Sequence, residues 1–318
     1  MLDRILQTEL FSNSDLLLVI ALIYGILVFA SLLFFVLSKV KPSLNLEELI
    51  SRTKSWWVMA TIFIMATMLS NDISYIALSF LAFVAFRELY SILGFRDSDR
   101  RAILWAYLAI PVQFFLAYIE WYGAFIIFIP VIMFLLLPLR FAIKGDVKGI
   151  LKSISYLQWI LMLSVFGISH LAYMLSLPDI PQFKAGGRGL LLFIVFLTEF
   201  NDIMQFTWGK LLGKKKIIPL VSPNKTLAGF LGGLISTLIV GYFLGFLTPL
   251  EGYQLVFACF LIGFAGFSGD IVMSAVKRDI GVKDTGNVIP GHGGILDRID
   301  SLAYTAPAFF HFVYYLAY

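Results

Sequence analysis

Long apolar runs separated by short polar loops set the pattern of this chain. A helix needs about 20 apolar residues to cross a bilayer, because in hydrocarbon every backbone amide must find its partner inside the segment. Such runs cover Leu16–Leu37, Ala102–Ile119, Tyr122–Leu139, Tyr156–Leu177, Gly189–Thr207, Leu227–Leu247, Tyr253–Ser274 and Ala303–Tyr318. Between Trp56 and Leu93 the apolar stretch is interrupted at Asn71 and Asp72, which predicts two short helices joined by a tight turn. The pattern predicts an all-α integral membrane protein, a polytopic bundle of about ten transmembrane helices.

Composition agrees. The 318 residues are 60% hydrophobic and 14% charged, against about 25% charged in a soluble domain. No gap between apolar runs is long enough to fold independently. The first run is long, follows Asp3, Arg4 and Glu9, and lacks a small-residue cleavage site, so it reads as a retained helix. The single cysteine, Cys259, lies in an apolar run as a packing residue and excludes an intramolecular disulfide.

Charge placement adds an orientation. Of the 24 Lys and Arg residues, all but Arg4, Lys184 and Arg188 fall in alternate loops. Cytoplasmic loops are the basic ones, so both termini are expected on the non-cytoplasmic side. The net charge of +4 is then a topology signal and an attraction to anionic headgroups, rather than a nucleic-acid footprint.

Ionisable residues inside membrane spans are costly, and most here lie in the C-terminal part. Glu199, Asp202 and Gln205 recur every three residues in one span and share a face. An interhelical hydrogen-bond cluster is the plain alternative to a site. Asp270, Ser274 and Lys277 are spaced i, i+4, i+7 on the next-to-last span, as an ion pair or as ligands for a metal and a polyphosphate. The loop from Lys283 to Ser301 adds Asp284, Asp297 and Asp300, with Arg298 and with His292 inside Pro290–Gly291–His292–Gly293–Gly294. Glycines let a backbone approach a ligand closely, and successive free amides can cradle phosphate oxygens. Hard carboxylate ligands suit Mg²⁺ rather than Zn²⁺. Gly209 and Gly213 enclose three residues where a P-loop needs four, so that match fails. Ser222, Pro223 and Lys225 precede a helix whose first amides could meet phosphate. His170 and His311 read as packing residues. Gly229-x-x-x-Gly233 permits close helix contact, within the chain or across a homodimer.

Ser274-x-x-Lys277–Arg278, then Lys283–Asp284, then Pro290-x-His292–Gly293–Gly294-x-x-Asp297–Arg298-x-Asp300 resembles, unbroken from 274 to 300, the signature of phosphatidate cytidylyltransferases. The resemblance reaches back through Ser222–Pro223–Asn224–Lys225–Thr226 and Asn201–Asp202. It continues more weakly around Arg87–Glu88–Leu89–Tyr90. It implies an N-terminal region of about six transmembrane helices over 1–188 and a catalytic region over 189–318. It also implies a polar cavity open to the cytoplasm and to lipid, and transfer of CMP from CTP to phosphatidate, giving CDP-diacylglycerol and pyrophosphate; the short chain without a large soluble extension points to a bacterial inner membrane. Asp270, Asp297, Lys277 and Arg298 would be catalytic. Ser222, Pro223, Lys225, Ser274, Arg278, Lys283, His292, Gly293 and Gly294 would bind substrate. Asp202, Asp270, Asp297 and Asp300 would hold Mg²⁺, with or without a second cation. Two carboxylates usual in the family are missing, at Ala228 and Met273, and Gln205–Phe206 replaces its small-then-aromatic pair. These departures leave open another lipid phosphate as acceptor, or a non-catalytic lipid-binding paralogue. Phosphorylation of a polyprenol and transport are further alternatives.

Overall fold

The structure, a computed structural model, describes residues 13–41, 46–145, 147–286 and 293–318. Ten helices follow one another among these residues: α1 (Ser14–Val40), α2 (Glu47–Met68), α3 (Asn71–Ile92), α4 (Arg100–Tyr118), α5 (Tyr122–Ile143), α6 (Ile150–Met174), α7 (Gly186–Leu212), α8 (Leu227–Phe243), α9 (Gly252–Asp279) and α10 (Leu296–Ala317). Helices α1, α3, α4, α5, α6, α7 and α9 are long and apolar enough to cross a membrane, and α8 is a shorter apolar helix. This is an all-α polytopic membrane protein, with no strand among the described residues.

Local chemistry places the helix ends. Asn13 caps α1, its side-chain oxygen accepting the Asp15 and Leu16 amides at 3.0 and 3.4 Å, while its Nδ2 donates to the Lys184 carbonyl at 2.6 Å. Ser70 caps α3 through the Ile73 amide at 3.3 Å. The turn before Asn71 is where the sequence puts it, but α2 and α3 are 22 residues each, not short. Helix α2 starts at Glu47, because Arg52 and Lys54 extend its polar first turns below the apolar run. Helices α5 and α6 each contain a π-helical stretch, Phe128–Met133 and Leu161–Gly167. In α5 the stretch contains Pro130, which cannot donate to the ordinary i−4 ladder.

Two other boundaries bear on the site. Helix α9 runs to Asp279, past the expected end at Ser274, so Lys277 and Arg278 are held on a helix. Helix α10 starts at Leu296 rather than Ala303. Asp297, Arg298 and Asp300, expected in a loop, therefore stand on its first turns.

The two parts of the sequence pack against each other. A Cβ at Gly167 in α6 would meet the Ala303 carbonyl oxygen in α10 at 2.7 Å. His170 and His311 bring their Nε2 atoms to 3.3 Å, and His311 Nδ1 lies 3.3 Å from the Tyr122 hydroxyl. Both histidines are thus packing and interhelical hydrogen-bond residues. They sit at the end of the bundle away from the basic loops. At the basic end, Arg96 holds buried Asp99 through contacts of 2.7–3.2 Å, and Asp99 also accepts the Ser153 hydroxyl at 2.7 Å.

Candidate active site

The site is assembled from α7, the segment before α8, α9 and the start of α10, at the basic end. Helix α9 supplies Asp270, Ser274 and Lys277 on one side, as their spacing predicts. Ser274 donates to Asp270 Oδ1 at 3.2 Å, and the other Asp270 oxygen is ion-paired with Lys225. Lys225 also donates to Gln205 Oε1 on α7 at 2.9 Å, and its ammonium lies 5.6 Å from the centre of the Phe267 ring.

Lys225 is delivered by a hairpin-like turn. The Ile217 amide donates to the Lys225 carbonyl at 3.1 Å, and the Leu227 amide to the Lys215 carbonyl at 2.9 Å. Ser222 serves through its backbone, its carbonyl accepting the Lys225 amide at 3.2 Å, and Pro223 is exposed beside it. Arg278 secures the turn to the end of α9 by donating to the Val221 and Val282 carbonyls at 3.4 and 3.3 Å. Lys214, Lys215, Lys216 and Lys283 are exposed. Thr226 caps α8 by accepting the Gly229 amide at 3.1 Å, so that amide is not free for phosphate.

The second ion pair is deeper. Lys277 donates to Asp297 Oδ1 at 2.8 Å and lies 3.9 Å from Asp300 Oδ2. The other Asp297 oxygen accepts the Thr285 and Gly294 amides at 2.9 and 3.0 Å. Asp300 Oδ1 accepts the Ser301 amide at 2.8 Å. The Gly294 amide thus serves an internal carboxylate. Gly293 has φ +84°, and a Cβ there would meet Asp297 Oδ2 at 2.7 Å, so both torsion and space require glycine. His292, with Pro290 and Gly291, lies outside the described residues.

The Asn201–Asp202 pair divides its work. Asn201 is fully buried, donates to the Gly263 carbonyl at 3.3 Å and accepts the Thr237 hydroxyl at 3.2 Å, tying α7 to α9 and α8. Asp202 lies close enough to Lys225, Asp270 and Arg298 for their charges to act on it. It also lies beside the Ser301 hydroxyl, whereas Gln205 Nε2 on α7 and Arg298 Nε on α10 are buried without a hydrogen-bond partner among the described residues. Each such atom costs about 1–3 kcal/mol unless something binds it. Donors of this kind fit oxygen-rich, anionic ligands.

No group of three or more His, Cys, Asp or Glu side chains among the described residues is arranged to hold a metal ion. The four carboxylates named from sequence do not form one cage, because Asp297 is engaged by Lys277 and two amides. Mg²⁺ at phosphate sites commonly uses only one or two protein carboxylates, with water and phosphate oxygens completing the shell. Asp270 and Asp300, near enough for their charges to act on each other, fit that smaller role, which needs no cage of three.

Sequence reasoning gave Glu88 no role. This acid on α3 is buried, and its oxygens accept the Ile295 and Leu296 amides at 2.9 and 2.8 Å. The signal was available, since an acid within an apolar span is the same cue that singled out Asp270.

Fold and site together define a polytopic helical membrane protein with interleaved carboxylates and lysines at its basic end, a combination suited to phosphate chemistry. The chain belongs to the cytidylyltransferase family, whose model matches residues 50–316. It is 40% identical over 302 residues to the uncharacterized protein YnbB of Escherichia coli (strain K12), covering 94% of this chain and 98% of that one. It is also 40% identical over 126 residues to the phosphatidate cytidylyltransferase of Staphylococcus haemolyticus (strain JCSC1435), covering 39% of this chain and 48% of that enzyme. A similar enzyme of Staphylococcus aureus (strain COL) is 39% identical over 128 residues, with the same coverage. The match to these two enzymes spans about half of their length.

Proposed function

We propose that this protein transfers CMP from CTP to a lipid phosphate, with phosphatidate as the acceptor and CDP-diacylglycerol and pyrophosphate as products. The observation that carries the reading is the double ion pair, Lys225 with Asp270 and Lys277 with Asp297 and Asp300, inside the region the family model matches. Beside it, Gln205 Nε2 and Arg298 Nε are buried donors without a partner among the described residues, and such donors suit phosphate oxygens.

In this mechanism a phosphatidate oxygen attacks the α-phosphorus of CTP in line with the departing pyrophosphate. The attacking group is already anionic, so no strong general base is needed. Lys225, Lys277 and Arg298 hold phosphate oxygens and offset the charge that accumulates on them. Arg278 and Lys283 stand at the rim, the first fixing the turn that carries Lys225. Asp270 and Asp300 would hold Mg²⁺, Asp202 adds negative charge beside Lys225, and Asp297 keeps Lys277 aimed at the site. Bound there, Mg²⁺ supplies Lewis-acid neutralisation of the phosphates. The reaction would occur at the cytoplasmic face of the inner membrane, in a polar cavity reached from both water and lipid.

The test uses purified protein in detergent–lipid micelles with labelled CTP, phosphatidate and Mg²⁺, beside an Asp297→Ala control. CDP-diacylglycerol and pyrophosphate that vanish in the control are expected. CTP binding without product would redirect the search to other lipid phosphates, and neither product nor binding would favour a non-catalytic lipid-binding protein.

A further inference from the structure

Glu88 is held more completely than a packing residue needs to be. Its Oε1 accepts the Ile295 amide at 2.9 Å. Its Oε2 accepts the Leu296 amide at 2.8 Å and the Thr285 hydroxyl at 3.4 Å. The first amides of a helix have no partner within it, and Ile295 provides α10 with no side-chain cap. A carboxylate from another helix, more than 200 residues away in sequence, therefore caps α10 and also suits the positive end of its dipole.

The described residues on either side, Thr285, Gly286 and Gly294, pack closely around this carboxylate. A Cβ at Gly294 would meet Glu88 Oε2 at 2.6 Å, and one at Gly286 would meet Oε1 at 3.4 Å. Thr285 connects the two carboxylates, its hydroxyl to Glu88 and its amide to Asp297 at 2.9 Å. The same turn of α10 carries Asp297 and Asp300. Glu88 is 8% exposed with both oxygens occupied by the protein, which leaves it little capacity to bind substrate.

We propose that Glu88 is a positioning residue for cytidylyl transfer: it ties Thr285 to the start of α10, so that Asp297 and Asp300 stand in register with Lys277. The proposal rests on the function given above. Glutamine at this position keeps the size but offers an NH₂ where one backbone amide needs an acceptor. A misplacement of about 1 Å can cost about 100-fold in rate. Glu88→Gln should therefore lower kcat by about 100-fold while leaving KM for CTP within about threefold.

The experiment compares wild type, Glu88→Gln, Glu88→Asp and Thr285→Val by steady-state kinetics and by hydrogen exchange of the peptide containing Ile295 and Leu296. Expected are a kcat loss without a KM change in Glu88→Gln, partial recovery in Glu88→Asp, and a smaller kcat loss in Thr285→Val. The Ile295 and Leu296 amides should exchange at least about tenfold faster in Glu88→Gln. Unchanged kcat, or a raised KM at unchanged kcat, overturns the proposal, the latter because it marks a direct substrate contact. If Glu88→Gln does not fold, Thr285→Val decides by the same kinetic split. If wild type makes no CDP-lipid, the functional reading falls, and exchange still decides whether Glu88 holds the start of α10: unchanged exchange overturns that as well.

Discussion

Lys277 and Asp297 meet at 2.8 Å with 11% and 4% of their side chains exposed, and they join α9 to the first turn of α10. Removing one partner of such a buried pair costs about 3–5 kcal/mol, because the other charge is left uncompensated. Lys277→Met is expected to lower the denaturation midpoint in micelles clearly. Lys277→Met/Asp297→Asn should regain much of that stability yet stay inactive. An active double variant would remove the pair from the mechanism.

The acids and cations of the site neutralise one another in the free protein. In the proposed reaction a metal on Asp270 would displace Lys225, and a triphosphate would take up the lysine so released. Each ligand would then ease the entry of the other. CTP is expected to bind at least about tenfold more tightly with Mg²⁺ than without it, a coupling of about 1.4 kcal/mol. Calorimetry with and without Mg²⁺ measures this, and equal affinities would contradict it.

The two missing family carboxylates stand in different surroundings. Ala228 lies in the first turn of α8 and is partly exposed, where an acid gains about 0.3–1 kcal/mol from the helix dipole. Met273 is fully buried in the apolar core. Ala228→Glu should thus be tolerated, while Met273→Glu should lower thermal stability and not raise turnover, since a charge buried without a partner is strongly unfavourable. A more active Met273→Glu enzyme would mean that an acid here finds a partner in Lys277, one turn further along α9.

Neighbouring Asn201 and Asp202 should separate in assays. Asn201→Leu removes two interhelical hydrogen bonds, and the stranded groups are expected to cost about 1–3 kcal/mol in stability. Its KM and kcat should stay within about threefold of wild type in the folded fraction. Asp202→Asn should do the reverse, with a near-normal melting temperature and a large loss of turnover.

Helix class and order were legible because hydrophobic run length directly reflects bilayer thickness, as the long runs of α1 and α9 illustrate. Helix starts were harder. Asp297, Arg298 and Asp300 look like loop residues, since hydropathy cannot register that Glu88 caps α10 and lets the helix begin among charges. Motif residues were found, but their partners were not. Gly294 suggested a phosphate cradle, whereas its amide serves Asp297 and its missing Cβ makes room for Glu88. Long-range pairing of this kind leaves no periodic trace in a single sequence.

The glycines of α8 are used within the chain. A Cβ at Gly229 would meet the Gln205 carbonyl oxygen at 2.6 Å, one at Gly233 would meet Asn201 Oδ1 at 3.2 Å, and one at Gly232 would collide with Trp208. On the other side of the helix, Leu231, Ile235, Ile239 and Tyr242 are exposed. Descendants of this protein can therefore exchange one apolar residue for another on that outer face as membrane composition changes. At Gly229, Gly232 and Gly233 almost any side chain beyond hydrogen would push α8 off α7 and carry Lys225 with it. Adaptation to new lipid surroundings and preservation of the chemistry are written on opposite sides of the same short helix.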